Sequence, residues 1–213
     1  MLTRRFASLL APLAVVGVAA SGCGSTSDVI RVGDQSISRS DFDASLDFIY
    51  ENEGMRDFVF GDQNVTEEQI RPAGTPRGAY PQDYAAALGN THFNLLLSEQ
   101  LVADNDLSTS DARRRTEDDL DQAIEGGIDE IPDDLRGVYV DGFAALDAVQ
   151  TQLDPDELNG QALALVDGDG VSVSSRYGSW DEDTFEIIPP TGPRPAPGSG
   201  DGTGATGSEL PSG

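Results

Sequence analysis

The segment Val29–Tyr50, VIRVGDQSISRSDFDASLDFIY, constrains the fold more than any other part of the chain. Val29, Ile30 and Val32 are β-branched and favour a short strand. Gly33-Asp34 is a turn pair, and Ile37 lies on the returning strand. Ser38 then opens a helix as Ser-x-x-Asp, its hydroxyl placed to accept a first-turn amide, with Asp41 and Asp43 at the positive end of the dipole. Phe42, Leu46, Ile49 and Tyr50 follow at helical spacing. A two-stranded hairpin is marginal in water by itself, so a third strand has to complete it. Val171–Ser175, alternating with period two, is the one other convincing strand. The two ends of the domain are therefore expected to meet in a small antiparallel sheet with every helix in between. That is a mostly α (α+β) class.

Between the ends, the strongest helix is expected over about Gln82–Asn105, with Pro81 at its entry. Tyr84, Leu88, Leu95 and Val102 mark one face, and Phe93, Leu96, Leu97 and Leu101 widen it until the helix is apolar on several sides. It is the expected core, weakened locally by Gly89. Ser108-x-x-Asp111 signals a second helix, running to about Glu125 and stopped by Gly126-Gly127. Leu120 and Ile124 are its only large apolar residues in the second half, so it should lie on the surface. A further helix is expected from about Pro132 to Leu153, with Leu135, Val138, Tyr139, Leu146, Val149 and Leu153 inward, and a short one over Pro155–Val166. Asn52–Tyr80 contains four glycines and two prolines and is expected to be irregular, save for one short helix capped at Thr66–Gln69.

The chain starts with a different kind of segment. Arg4 and Arg5 precede an apolar run, Leu9–Ala20, too short for a comfortable membrane span. It leads through Ala20-Ser21-Gly22 into Cys23, the only cysteine, and this arrangement resembles a bacterial lipobox. The resemblance implies that residues 1–22 are a signal peptide and that Cys23 is lipidated and becomes the N-terminus. Acyl chains hold a protein on a membrane at about 0.8 kcal/mol per buried CH₂. Residues 23–28 would be the tether, 29–188 the domain, and 189–213 a Pro/Gly/Ser/Thr-rich tail with too little apolar surface to offset ordering entropy. No nucleic acid is expected as a partner: 38 acids face 13 basic residues, all arginine, for a net charge of −25.

The hairpin-into-helix VGDQSISRSDFDASL resembles the opening of SurA-type periplasmic chaperones, and LLLSEQLVADNDLSTSDA is similar to their leucine-rich helix, polar turn and capped helix. VSVSSRYGSWD resembles the last strand of short lipoproteins that carry a SurA N-terminal domain. The resemblance spans about Val29–Asp181. It implies a helical module outside the cytoplasm that handles unfolded chains. Full relatives carry a parvulin prolyl isomerase domain with paired histidines; this chain has one histidine, His92, and no room for the insert. Isomerase activity is thus a family label only.

The residue inventory points away from catalysis. His92 has no second histidine or free cysteine with which to form a nucleophile–base pair or a transition-metal site. Asp167-Gly168-Asp169-Gly170 starts like a calcium loop but lacks its later ligands and reads as a turn. Acid pairs such as Asp133-Asp134 and Asp156-Glu157 are helix starts in an acid-rich chain. No enzyme activity, cofactor or metal is expected. The candidate client-binding residues are Ile49, Tyr50, Phe58 and Phe60, the last two in the segment expected to be a loop. The reading is a lipid-anchored, extracytoplasmic holdase that binds unfolded or extended apolar segments of exported proteins. The alternative is an adaptor lipoprotein that binds one folded partner through an acidic face.

Overall fold

A computed structural model describes residues 28–61, 66–74, 79–167 and 170–190. Cys23, the segment expected to be a signal peptide and the expected tail from residue 191 lie outside the described residues. Strand β1 (Asp28–Val32) pairs antiparallel with β2 (Gln35–Ser38) on one side and with β3 (Val171–Val173) on the other. Ile30 sits opposite Val173 and Val32 opposite Val171. The expected joining of the two ends is therefore what the chain does. β3 is shorter than expected: Ser174 still donates to the Val29 carbonyl of β1 at 2.7 Å, but its own carbonyl accepts from Tyr177 N–H at 2.9 Å, and that turn takes the chain off the sheet. The β1–β2 turn needs Gly33, whose φ is +58°, a region open to glycine at no steric cost. Its neighbour Asp34 donates its N–H to Gln100 Oε1 at 2.9 Å, which ties the turn to the central helix.

Helix α1 (Arg39–Glu51) starts as read, with Ser38 Oγ accepting from Asp41 N–H at 3.2 Å. Asn52 ends α1 and, through Oδ1 accepting from Met55 N–H at 2.8 Å, begins α2 (Glu53–Phe60). This corrects the expectation of an irregular stretch from Asn52. Gly54 reads as a breaker, yet it serves a packing need: a Cβ there would stand 1.9 Å from the Ala123 carbonyl oxygen, so only glycine lets α2 approach the end of α5 (Ser110–Ala123). Thr66 and Gln69 cap the one-turn α3 (Glu67–Ile70) reciprocally, with Thr66 N–H to Gln69 Oε1 at 2.8 Å and Gln69 N–H to Thr66 Oγ1 at 3.4 Å.

The central helix is α4 (Gln82–Asp104), packed against the sheet, α6 (Asp133–Gln152) and α7 (Pro155–Val166). α5 (Ser110–Ala123) lies on the surface and buries only Ala112, Thr116 and Leu120. Ser108 does not cap it with its side chain; the Ser108 carbonyl accepts from Gln152 Nε2 at 2.8 Å. Gly126 and Gly127, with φ of +93° and +84°, turn the chain into one turn of 3₁₀-helix at Ile128–Glu130. α6 (Asp133–Gln152) packs on α4 and α5 through small residues: Gly142, Ala144, Ala145 and Ala148 are buried, a Cβ on Gly142 would meet Leu95 of α4 at 3.0 Å, and Ala144 and Ala148 cluster with Ala112 of α5. Val138, Leu146 and Leu153, expected inward, are displaced to half-buried positions by this alanine face. α7 (Pro155–Val166) is capped by Asp154 and buries only Val166, leaving Leu163 exposed.

A second sheet was not legible. β4 (Ser179–Asp181) and β5 (Glu186–Ile188) form a hairpin that docks on α4. Asn90 clamps it, accepting from Ile187 N–H at 2.6 Å and donating to the Ile187 carbonyl at 3.3 Å. Ile187 is buried against Gly89, where a Cβ would stand 3.3 Å from its Cδ1, and Trp180 lies over Phe93 with ring centroids 4.6 Å apart. The glycine that weakens α4 is therefore the seat of this hairpin. Tyr177 closes the same end: its ring meets Phe42 edge-on at 4.9 Å, and its hydroxyl donates to Asp43 Oδ1 at 2.7 Å.

Candidate functional site

The four candidate client-binding residues do not form one surface. Ile49 is completely buried, facing inward with Phe42 and Leu46. Phe60 is 7% exposed and tilts against Tyr84, ring centroids 5.9 Å apart. Tyr50 is half-buried beneath the Arg71 guanidinium, 5.0 Å from its centroid, a cation–π contact shared with Tyr80 at 5.6 Å. Their assignment as a mobile-loop patch is corrected on two counts: Phe58 and Phe60 belong to a helix, and Ile49 and Phe60 fill the core. Arg56 reinforces this corner, donating from its buried guanidinium to the Tyr50 carbonyl at 3.0 Å.

Phe60 also edges a hollow of about 380 Å³ with Ile70 and Tyr84, and Tyr50 one of about 480 Å³ with Arg71, while Phe58 reaches a groove beside α6. It meets Phe143 edge-on at 5.0 Å, and the two rings with Leu146 form the floor of a hollow of about 360 Å³. Its rim carries Asp119 and the Arg115–Asp147 ion pair, closed at 2.6 Å. Across α6 lies a second hollow of about 310 Å³, floored by Leu97, Leu101, Val149, Leu158 and Ala162. Leu146 and Gln150 line both, so the two adjoin over the crest of α6. The result is a path of half-buried apolar side chains from α2 to α7. Sequence reading missed it because α6 hides alanines and shows its larger residues. The available signal was α7, whose Leu158, Leu163 and Leu165 are too many for a helix with one buried residue.

A second cavity, of about 220 Å³, opens between β2, α1, α4 and α6. Ile37, Leu95, Leu96 and Val138 form its apolar walls, and Asp41, Glu99 and Asp141 its acidic ones. His92 lies at its inner end, 1% exposed and flanked by Phe42 and Tyr139 with centroids at 5.5 and 5.8 Å. Its Nε2 has no hydrogen-bond partner. Burial opposes protonation and lowers its pKa from 6.5 to about 3, so the imidazole is neutral at physiological pH. Glu99 is affected in the opposite sense: burial first, then the charge of Asp141, raises its pKa from 4.5 to about 7. Asp141 is itself paired with Arg113, whereas Glu99 has no ion pair among the described residues. Burial also raises the phenols of Tyr84 and Tyr139 above their ordinary range, so both stay protonated.

Among the described residues, no three His, Cys, Asp or Glu side chains converge as a metal site would require, and no helix is long and apolar enough to cross a membrane. Residues 168–169 of the aspartate–glycine turn lie outside the described residues; the Gly170 carbonyl accepts from Gly33 N–H at 3.0 Å. The fold and its surface define an α+β module with an apolar groove crossing one helix and an acid-walled cavity beside the core histidine. Comparison with family models, with curated proteins and with solved structures returned no match.

Proposed function

We propose that the chain is a lipid-anchored, extracytoplasmic lipoprotein, held at the membrane through Cys23, whose SurA-like domain holds extended apolar segments of exported polypeptides without catalysing a reaction. The observation that carries this reading is the groove across α6, from Phe58 and Phe143 over Leu146 to Leu97 and Leu158. An extended segment laid there would cover half-exposed apolar side chains, each Å² removed from water contributing about 25 cal/mol. The resemblance of the hairpin and helix motifs to SurA-type chaperones, and the lipobox-like Ala20–Cys23, point the same way.

Aggregation suppression tests it. A soluble form beginning at Gly24 is mixed with an unfolding client at low and high salt. Suppression that persists at high salt and falls in Leu146→Asp is the expected result. Suppression that vanishes at high salt would instead assign binding to the acidic surface, as in the adaptor reading. Full suppression by Leu146→Asp would refute the groove as the client site. A clear acceleration in a prolyl isomerisation assay would refute the absence of catalysis.

A further inference from the structure

We propose that the groove across α6 is selective, and that it takes apolar segments flanked on both sides by lysine or arginine. The proposal rests on the reading of that groove as a client site and adds which clients it holds. The floor is apolar: Phe58, Phe143 and Leu146 on one side of α6, Leu97, Val149 and Leu158 on the other. Apart from the closed Arg115–Asp147 pair, charge enters only at the two ends. Asp57 precedes Phe58 on α2, and Asp119 of α5 stands on the same rim. At the far end, Asp156 and Glu157 fill the first turn of α7 and precede Leu158. All four acids are exposed, and none has an ion pair among the described residues.

The cations of the bordering helices are already committed. Arg115 holds Asp147 through Nε at 3.0 Å and a terminal nitrogen at 2.6 Å. Arg113 pairs with Glu117 and Asp141, Arg114 with Asp111, and Arg136 with Asp129 and Asp133. Arg56 is buried and donates to the Tyr50 carbonyl. Helices α2, α4, α5, α6 and α7 contain no lysine and no other arginine. An acidic client residue therefore meets no unpaired cation on these helices, whereas a basic one meets unpaired carboxylates at both ends. The net charge of −25 acts in the same direction at longer range, repelling acidic segments and steering basic ones inward.

Geometry sets the length of the apolar part. A helix with its side chains is about 10 Å across, and an extended chain advances about 3.3 Å per residue. About three residues thus cross α6, and one more at each end reaches into a hollow. Alternate side chains of an extended segment share a face, so a five-residue core with apolar first, third and fifth positions turns all three toward the groove.

The test is fluorescence anisotropy of capped nonapeptides carrying an uncharged dye, titrated with the full chain. Each has the core Leu-Ser-Phe-Ser-Leu, flanked on both sides by two lysines, two glutamines or two glutamates. At low salt the lysine peptide is expected to bind about tenfold more tightly than the glutamate peptide, with glutamine between, because each exposed ion pair contributes modestly. The three should converge at high salt. Combining Asp57→Asn, Asp119→Asn, Asp156→Asn and Glu157→Gln should remove most of the lysine preference. Equal binding of the three peptides at low salt overturns the proposal and leaves the groove reading standing. An undiminished lysine preference in the fourfold variant overturns it too, by placing the charge recognition elsewhere. So does a lysine-flanked peptide with a Ser-Gly core that binds as tightly as the apolar one. Binding of none of the peptides, or full binding by Leu146→Asp, refutes the groove reading itself and the proposal with it.

Discussion

His92 and Glu99 should oppose one another in the acid stability of this domain. The unfolded chain protonates His92 near pH 6.5, while the folded core holds its pKa at about 3. Between those values the unfolded state binds the extra proton, so stability is full above pH 6.5 and falls as pH drops toward 3. From pH 7.5 to 5.0 this costs about 2 kcal/mol. Glu99 runs the other way. Its folded pKa of about 7 lies above the ordinary 4.5, so the folded state protonates first and gains stability as pH falls through that window. The group is partly solvated, and screening reduces its contribution to about 1 kcal/mol.

His92→Phe removes the first contribution and the unpaired nitrogen with it. Relative to the parent, it should gain about 2 kcal/mol between pH 7.5 and pH 5.0, which is about 4–8 °C in Tm for a domain of this size. Glu99→Gln should do the reverse, making the protein more acid-sensitive by about 1 kcal/mol. Urea melts at the two pH values in an amine-free buffer measure both, and taking differences from the parent cancels the other carboxylates. If His92→Phe and the parent lose stability in parallel from pH 7.5 to 5.0, the neutral, core-held imidazole is refuted.

Three further outcomes are expected. Gly54→Ala should lower stability by about 2 kcal/mol despite a helix-propensity gain of about 1 kcal/mol, because the new Cβ would stand 1.9 Å from the Ala123 carbonyl and push α2 off α5; an unchanged urea midpoint would show that the helices separate freely. Tyr177→Phe removes the 2.7 Å hydrogen bond to Asp43 and should cost about 1–2 kcal/mol by thermal denaturation, with the Phe42 ring contact retained. Cys23→Ser should release the protein from the membrane fraction of bacteria expressing it, and persistence there would contradict lipid anchoring at this residue.

Local chemistry made much of this fold legible. Ser38 caps α1 because a hydroxyl three residues before an amide needs no distant partner. The β-branched pairs Ile30–Val173 and Val32–Val171 announce themselves by alternation, and a hairpin that cannot stand alone points to its third strand. The breadth of apolar residues on α4 likewise states that it is covered on several sides. Other features became visible only when distant segments met. Gly54 and Gly89 look like helix defects in sequence; in the fold they are the places where the Ala123 carbonyl and Ile187 approach. The β4–β5 hairpin has strands of three residues each, too short to declare themselves, and is held by Asn90 from another element. Which residues of α6 face inward was decided by close packing against Leu95, which admits Gly142 and leaves Leu146 to the groove. The sequence by itself thus determined the starts of α1, α3 and α4 and the turn between β1 and β2, since caps and periodicity act within a few residues. Tertiary structure alone decided the state of His92 and Glu99 and the position of the hollows, because burial and electrostatics depend on neighbours far apart along the chain.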